Sequence, residues 1–150
     1  MKASISLLCC IALSSASVHA QDEKAEVLAV AQQFFTALEK GDTATFRNLF
    51  LDDARNYFVQ EKETTIRAGS RTVKSFKADK DRVVRERFIK DGVDVMVHNR
   101  IAVVWGKYNL WINDKFSHCG VDAFTLLKTD AGWKISSVSY SMETEGCPEK

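Results

Sequence analysis

The fold is decided by residues 116–142, FSHCGVDAFTLLKTDAGWKISSVSYSM, which predict two long antiparallel strands. Residues 116–128 and 133–142 are rich in β-branched and aromatic side chains, and residues 129–132, TDAG, are typical of a tight turn. Working backwards, residues 101–112 predict a third strand, in which Gly106 is expected to make a bend or bulge. Residues 93–97 alternate in the same way. The C-terminal half is therefore predicted to be a run of antiparallel strands.

The N-terminal part of the chain carries the helical signals. Apolar residues recur at helical spacing from Asp22 to Lys40, with acids expected in the first turn, and Gly41 follows as a stop. A second, shorter helix is predicted from Asp42 to Phe50, because Asp42 or its neighbour can cap it. Two helices followed by antiparallel strands predict an α+β fold, in which the helices cover one face of a curled sheet.

Residues 57–90 give a weaker pattern. Residues 57–59 predict a short strand, and Ser70 is expected to cap a helical turn that carries Val73 and Phe76. Residues 77–82 are expected to form a solvated loop. The chain should be a strand again by residues 86–89, with a turn or bulge at residues 91–92.

The first twenty residues have the pattern of a secretory signal. Lys2 is followed by an apolar run from Ile5 to Leu13 and by small residues that end at Ala20. We expect cleavage after Ala20, a single domain over residues 21–150, and export to the periplasm or the medium. The apolar run is well short of the roughly 20 residues that a membrane span needs, so no membrane partner is expected after cleavage.

The balance of charge argues against a nucleic-acid partner. The chain has 21 basic and 20 acidic residues, and removing residues 1–20 takes away one lysine and no acid, which leaves 20 of each. Such a domain has no excess positive charge with which to neutralise phosphates. The sequence contains no glycine-rich phosphate loop and no spacing typical of metal ligands, so neither a cofactor nor a metal is expected.

Two cysteines, Cys119 and Cys147, remain after the predicted cleavage. An even number in an oxidising compartment favours a disulfide. The alternative is two free thiols, one buried in a strand and one in a loose tail. Sequence leaves both open, because it does not show that the two Cβ atoms meet.

Asp122 is the first candidate for acid–base catalysis, with His118 as a tentative second. Both lie on one face of the predicted strand, whereas Cys119 faces the other way, so a nucleophilic Cys-His pair is excluded. Four residues of strand separate His118 from Asp122 by about 13 Å, so the partners of each must come from neighbouring strands. A carboxylate in a partly dry pocket would have a raised pKa, which suits it to proton transfer. The alternative is a structural aspartate held by hydroxyl groups.

The surroundings of Asp122 follow from the expected turn at residues 130–131. That turn sets Asp122 opposite Ser139 and Phe124 opposite Ser137, which gives an acid ringed by hydroxyl groups beside apolar side chains. Such a surface is typical of a small-molecule pocket. Tryptophans on the neighbouring strand could line it, although core or interface positions are the alternative. The candidate ligand-binding residues are Phe35, Tyr57, Trp105, Phe124, Ser137 and Ser139.

Three segments, residues 34–53, 101–106 and 124–135, resemble the nuclear transport factor 2-like superfamily, and they occur in the expected order. Residues 117–124, SHCGVDAF, together with the late Cys147, are similar to an exported bacterial branch of it. The resemblance implies a cystatin-like α+β barrel, in which a cone-shaped, antiparallel or at most mixed sheet wraps around N-terminal helices. It also implies a pocket between helices and sheet, and frequent homodimers formed through the sheet.

The resemblance does not imply one activity, because the superfamily includes ketosteroid isomerases, SnoaL-like polyketide cyclases, epoxide hydrolases, dehydratases and proteins that only bind. We expect an exported domain that binds an apolar small molecule in the cone. The enzyme alternative is a cofactor-free isomerase, cyclase, dehydratase or hydrolase that uses Asp122 with His118, Tyr57 or Ser139 as hydrogen-bond donors. A third possibility is a dimeric interaction module whose cone is filled by side chains such as Phe34 and Phe46.

Overall fold

Two helices precede six strands in the computed structural model, which describes residues 12–62 and 65–148, with side chains from residue 21 onward. The elements are α1 (Ala12–Lys40), α2 (Thr43–Asn48), β1 (Phe50–Lys62), β2 (Thr65–Thr72), a 3-10 turn (Val73–Ser75), β3 (Val84–His98), β4 (Ile101–Ile112), β5 (Lys115–Thr129) and β6 (Gly132–Met142).

The helix α1 begins ten residues earlier than predicted, at Ala12 instead of Asp22. No glycine or proline occurs between residues 12 and 40, so nothing in the chain interrupts the helix, and the acids expected in its first turn lie in its middle. The helix α2 follows the prediction more closely. The carboxylate of Asp42 accepts a hydrogen bond from the backbone N–H of Thr45 at 3.0 Å, which caps the helix.

The six strands form one curved, unclosed sheet in the order β2-β1-β6-β5-β4-β3. All neighbours are antiparallel except β1 and β6, which run parallel. The sheet is therefore mixed, as the sequence allowed, and the predicted α+β class is confirmed. Among the described residues, no helix is long and apolar enough to cross a membrane.

Residues 57–76 differ most from the prediction. The expected short strand is the 13-residue β1, and Ser70 lies within β2 instead of capping a helical turn. The turn comes three residues later and buries Val73. Pairing with β1 decides the conformation of β2, because a weak local pattern yields to a neighbouring strand. The loop at residues 77–82 and the irregularity of β3 near Asp91 are as expected.

The irregularity predicted at Gly106 falls on the neighbouring strand. Pairing of β4 with β5 is continuous through Gly106, whereas its pairing with β3 shifts register between Phe88, opposite Tyr108, and Val93, opposite Gly106. A Cβ atom at this position would lie 2.8 Å from the ring of Phe88, so the glycine also makes room for that ring.

The core lies where α1 and α2 pack against the inner face of the sheet. Aromatic rings dominate it, with the rings of Phe34 and Phe124 5.2 Å apart and those of Phe34 and Phe46 at the same distance. The side chains of Val104, Phe124, Leu126 and Ile135 are fully excluded from solvent. This packing fills one end of the cone, and the other end stays open.

Candidate functional site

A cavity of about 470 Å³ occupies the open end of the cone, between the helices and the inner face of the sheet. This volume lies within the range of small-molecule sites. The strand alternation sends polar side chains into it from four neighbouring strands. They are Glu86 of β3, Tyr108 of β4, His118 and Asp122 of β5, and Tyr140 of β6.

Asp122 lies on the wall of the cavity and is 2% exposed. Within residues 12–62 and 65–148, its Oδ2 atom has no hydrogen-bond partner. Burial, reinforced by the nearby charge of Glu86, raises the pKa of Asp122 well above its usual value. Burial therefore favours the protonated form of the carboxyl group, in which one oxygen donates a hydrogen bond and the other accepts one.

Glu86 supplies a second buried acid, at 7% exposure. Glu86 of β3 pairs with Leu110 of β4, and Leu110 pairs with His118 of β5. Glu86 and His118 therefore lie in one row across the sheet. Burial raises the pKa of Glu86 to about 8, although the charge of Arg87 opposes the rise. The cavity thus holds two carboxyl groups whose pKa values are raised by burial.

Two tyrosines complete the polar wall. Tyr140 lies directly opposite Asp122 in the sheet. The hydroxyl of Tyr108 donates a 2.7 Å hydrogen bond to the carbonyl oxygen of Ser141. Burial, together with the nearby carboxylates, raises the pKa of both phenols, although the charge of Arg71 lowers that of Tyr140, so neither phenol is a base in the neutral range.

His118 faces the cavity as a neutral imidazole. Burial and the positive charge of Arg82 lower the pKa of its ring. Its Nδ1 atom lies 3.0 Å from the hydroxyl of Ser117, and its ring meets that of Tyr108 edge to face at 5.9 Å. The ring of His118 is thus held by contacts with Ser117 and Tyr108.

Gly120, between His118 and Asp122, lets the backbone of β6 close the wall. A Cβ atom there would lie 2.2 Å from the carbonyl oxygen of Ser141. The same carbonyl accepts the hydrogen bond from Tyr108, and the hydroxyl of Ser141 accepts one from the N–H of Val121. Only glycine allows this approach, so the residue is part of the architecture of the cavity.

The sequence of residues 22–141 matches the model of a family described as "Putative lumazine-binding". The chain belongs to this family. Solved structures of nuclear transport factor 2-like proteins share the fold of this domain, in agreement with the fold that the resemblance implies. No curated protein matches the sequence.

Three solved structures illustrate the similarity of fold. An NTF2-like superfamily protein from Salmonella enterica has a TM-score of 0.64 at 14% identity, over 87% of this chain and 97% of its own. An NTF2-like protein with a cystatin-like fold from Novosphingobium aromaticivorans has a TM-score of 0.61 at 14% identity, over 92% of each chain. An NTF2-like family protein from Streptomyces avermitilis, described as a "putative dehydratase", has a TM-score of 0.63 at 19% identity, over 81% of this chain and 96% of its own. At these identities the likeness concerns the fold alone.

In the NTF2-like domain, the predicted hydroxyl ring around Asp122 is absent from the cavity. The turn at residues 130–131 forms as expected and sets Leu126 opposite Ile135, but a bulge follows and shifts the register by one residue. Asp122 therefore faces Tyr140, and Phe124 faces Val138. Ser137 and Ser139 lie on the outer face, where they pair with Thr125 and Ala123. The predicted register was wrong for this half of β6.

The remaining predicted ligand-binding residues also lie outside the cavity. Tyr57 and Trp105 are on the outer face, at 45% and 39% exposure. Phe35 and Phe124 are buried in the core, where their rings pack 5.9 Å apart. Asp122 and His118 are the predicted site residues that the NTF2-like domain brings together in the cavity, and their chemical roles remain predictions.

The disulfide of this family member is present between Cys119 and Cys147, with Cα atoms 5.7 Å apart. The free-thiol alternative is therefore wrong. Cys119 also forms backbone hydrogen bonds with Glu143, so the C-terminal tail is fastened across the outer face of β5. Among the described side chains, no cluster of three or more histidine, cysteine, aspartate or glutamate residues could hold a metal ion.

Sequence reasoning missed Glu86, Tyr108 and Tyr140. Glu86 lies in a segment whose secondary-structure signals are weak. Its spacing of two residues from Phe88 could still have placed both side chains on one face of a strand. Tyr140 was missed because the bulge in β6 exchanges the two faces of that strand. Tyr108 shares its face with Gly106, which was expected to reset the alternation of β4.

Proposed function

We propose that this domain binds a small planar heterocycle of the lumazine type in the cavity. One observation carries the proposal: the buried Oδ2 of Asp122 has no partner among the described residues and lies on the wall of an open cavity. An unpartnered buried polar atom costs free energy unless a bound molecule satisfies it. The family description supplies the ligand class.

The chemistry of the cavity suits lumazine, a neutral bicyclic pteridinedione. Its pyrimidine ring has N–H donors beside C=O acceptors. A protonated carboxyl group matches that edge, because its O–H donates to the ligand carbonyl while its carbonyl oxygen accepts from the ligand N–H. The Oδ1 atom of Asn56, also buried and without a partner in the described chain, is a further polar contact within the cavity. A neutral pair of this kind avoids the cost of burying a charge.

Calorimetric titration with lumazine tests the proposal. We expect one site per chain and an affinity that falls about 5- to 100-fold in Asp122→Leu, because two hydrogen bonds at about 0.5–1.5 kcal/mol each contribute about 1–3 kcal/mol, and about 1.4 kcal/mol equals a factor of ten. Asp122→Asn should bind within about threefold of the wild type, since its amide keeps a donor and an acceptor in the same shape. Ser139→Ala, on the outer face, is the matched control. Absence of binding to the wild type would refute the proposal.

A cofactor-free acid–base enzyme is the second candidate, and the two buried acids Glu86 and Asp122 favour it. Carboxyl groups with raised pKa values are suited to giving and accepting protons near neutral pH. The same Asp122→Asn variant separates the two functions. A binding site tolerates the amide, whereas a proton-transfer site loses its activity.

We propose further that the domain is exported and forms a homodimer through the outer face of the sheet. The disulfide supports an oxidising compartment. Exposed Trp105 and Met96, on the outer face of neighbouring strands, support a contact there. N-terminal sequencing of protein from the periplasm or the medium would test cleavage after Ala20, and sedimentation equilibrium would test the dimer. Recovery in the cytoplasm with residues 1–20 intact, or a monomer mass, would refute the respective proposal.

A further inference from the structure

The mouth of the cavity is lined by arginines that make no ion pair. Arg67 and Arg71 of β2 and Arg82 of the following loop line the cavity and are exposed. Within residues 12–62 and 65–148, the guanidinium groups of these three arginines make neither a hydrogen bond nor a salt bridge. The other five arginines each have a polar partner: they are Arg47, Arg55, Arg85, Arg87 and Arg100. The arginines whose side chains have no polar partner are therefore the three that line the cavity.

The packing of Phe58 holds two of these arginines in place. Phe58 pairs with Gly69, and its ring occupies the space above that glycine, where a Cβ atom would be 2.9 Å away. Arg67 and Arg71, two residues to either side of Gly69, share its face of the strand. Their guanidinium groups lie 5.6 and 5.5 Å from the centre of the ring. The ring thus orders two cations side by side, at a lower entropic cost than free side chains would incur.

The positive charges at the mouth lower the pKa values of two groups inside the cavity. The charge of Arg82 contributes to lowering the pKa of His118, and the charge of Arg71 lowers that of Tyr140. The acids Glu86 and Asp122 lie at the buried end, whereas the arginines lie at the exposed end. The two ends of the cavity therefore differ in character, because acids lie at the buried end and cations lie at the exposed rim.

We propose that Arg67, Arg71 and Arg82 form an anion subsite, and that the ligand is a planar heterocycle carrying a carboxylate or phosphate group. This inference rests on the proposed binding of a lumazine-type ring. The neutral N–H and C=O edge of the ring faces Asp122, and the opposite, pyrazine edge points to the mouth. An acidic group on that edge meets the guanidinium groups, whose planar donors match the oxygens of carboxylate or phosphate. The reverse orientation is disfavoured, since it would bury the charge of the ligand at the closed end of the cavity, among acids and phenols.

Titration with two probes, lumazine and lumazine-6-carboxylate, tests the subsite. We expect the wild type to bind the carboxylate at least tenfold more tightly at low salt, and this preference to shrink in 0.5 M NaCl, because exposed charges are screened. The Arg67→Gln/Arg71→Gln variant should lose the preference while its affinity for lumazine itself stays within about twofold. Arg100→Gln, on the β3–β4 turn, is the matched control for the loss of a positive charge.

The outcomes separate the two proposals. If lumazine binds and the carboxylate binds no more tightly, the anion subsite is overturned and the proposed function stands. If the Arg67→Gln/Arg71→Gln variant keeps the preference for the carboxylate, these arginines are not the subsite and the inference fails. If neither probe binds the wild type, the proposed function fails and the inference falls with it.

Discussion

Replacing Glu86 by glutamine tests whether burial keeps a carboxyl group of the cavity neutral. The pKa of Glu86 rises from 4.5 to about 8 on folding. Between these two pH values the folded protein holds a proton that the unfolded chain has lost, so the unfolding free energy falls as the pH rises. The full contribution is present below pH 4.5, and the loss is complete above about pH 8. At about 1.4 kcal/mol per pKa unit, the loss is on the order of 5 kcal/mol.

Urea unfolding followed by circular dichroism at pH 5, 6, 7, 8 and 9 measures this effect. The difference between wild type and Glu86→Gln isolates the residue, because other groups titrate in both proteins. At pH 5 the two proteins should have similar stability, since the amide replaces a protonated acid of the same shape. At pH 9 the variant should be more stable by several kcal/mol. Glu61→Gln, which removes an exposed glutamate from the end of β1, is the control and should show no such trend.

A constant difference between the two proteins across pH 5–9 would refute the reasoning. It would mean that Glu86 ionises in the folded protein as it does in the unfolded chain. The cavity would then carry the negative charge of Glu86 at neutral pH, and that charge would raise the pKa of Asp122 further.

Two further predictions concern the frame of the cavity. Reduction of the Cys119–Cys147 disulfide, which joins residues 28 apart, should lower the unfolding free energy by about 3–4 kcal/mol. The Cys119→Ser/Cys147→Ser variant should show the low Tm with or without reductant. A wild-type Tm that dithiothreitol leaves unchanged would contradict this prediction. Gly120→Ala should lower stability by at least about 1–3 kcal/mol, because its Cβ atom would overlap the carbonyl of Ser141. The control is Gly92→Ala, in which the new Cβ atom lies 3.8 Å from its nearest neighbour, so its stability should change by no more than about 1 kcal/mol. Equal Tm values for the two variants would count against the close approach at Gly120.

Local pattern was sufficient to predict the fold class and the position of Asp122. Alternation along β5 correctly separated His118 and Asp122 from Cys119, because the pleat of a strand leaves no freedom in which face a residue takes. The helix α2 was predicted because a capping side chain is a local signal, and Asp42 fulfils it.

Features that depend on contacts between distant segments could not be predicted. The conformation of β2 is decided by its pairing with β1, in which Phe58 packs over Gly69, and no local pattern encodes that contact. The surroundings of Asp122 depended on one inserted residue in β6, which no turn rule reveals. Glu86 gains its chemistry from burial in the wall of a cavity that is lined by residues from distant parts of the chain.

The bulge near Ser136 has an evolutionary consequence. On the turn side of it, β6 keeps its register with β5, so Trp133 and Ile135 stay packed whatever happens beyond. A relative that lacks the extra residue would have a regular strand and would still present Tyr140 opposite Asp122. A relative of the same length that paired without the bulge would instead present serine hydroxyls there. The side chains that face the ligand therefore depend on whether β6 is bulged, and alignments that slide a gap along β6 would assign the wrong residues to its site.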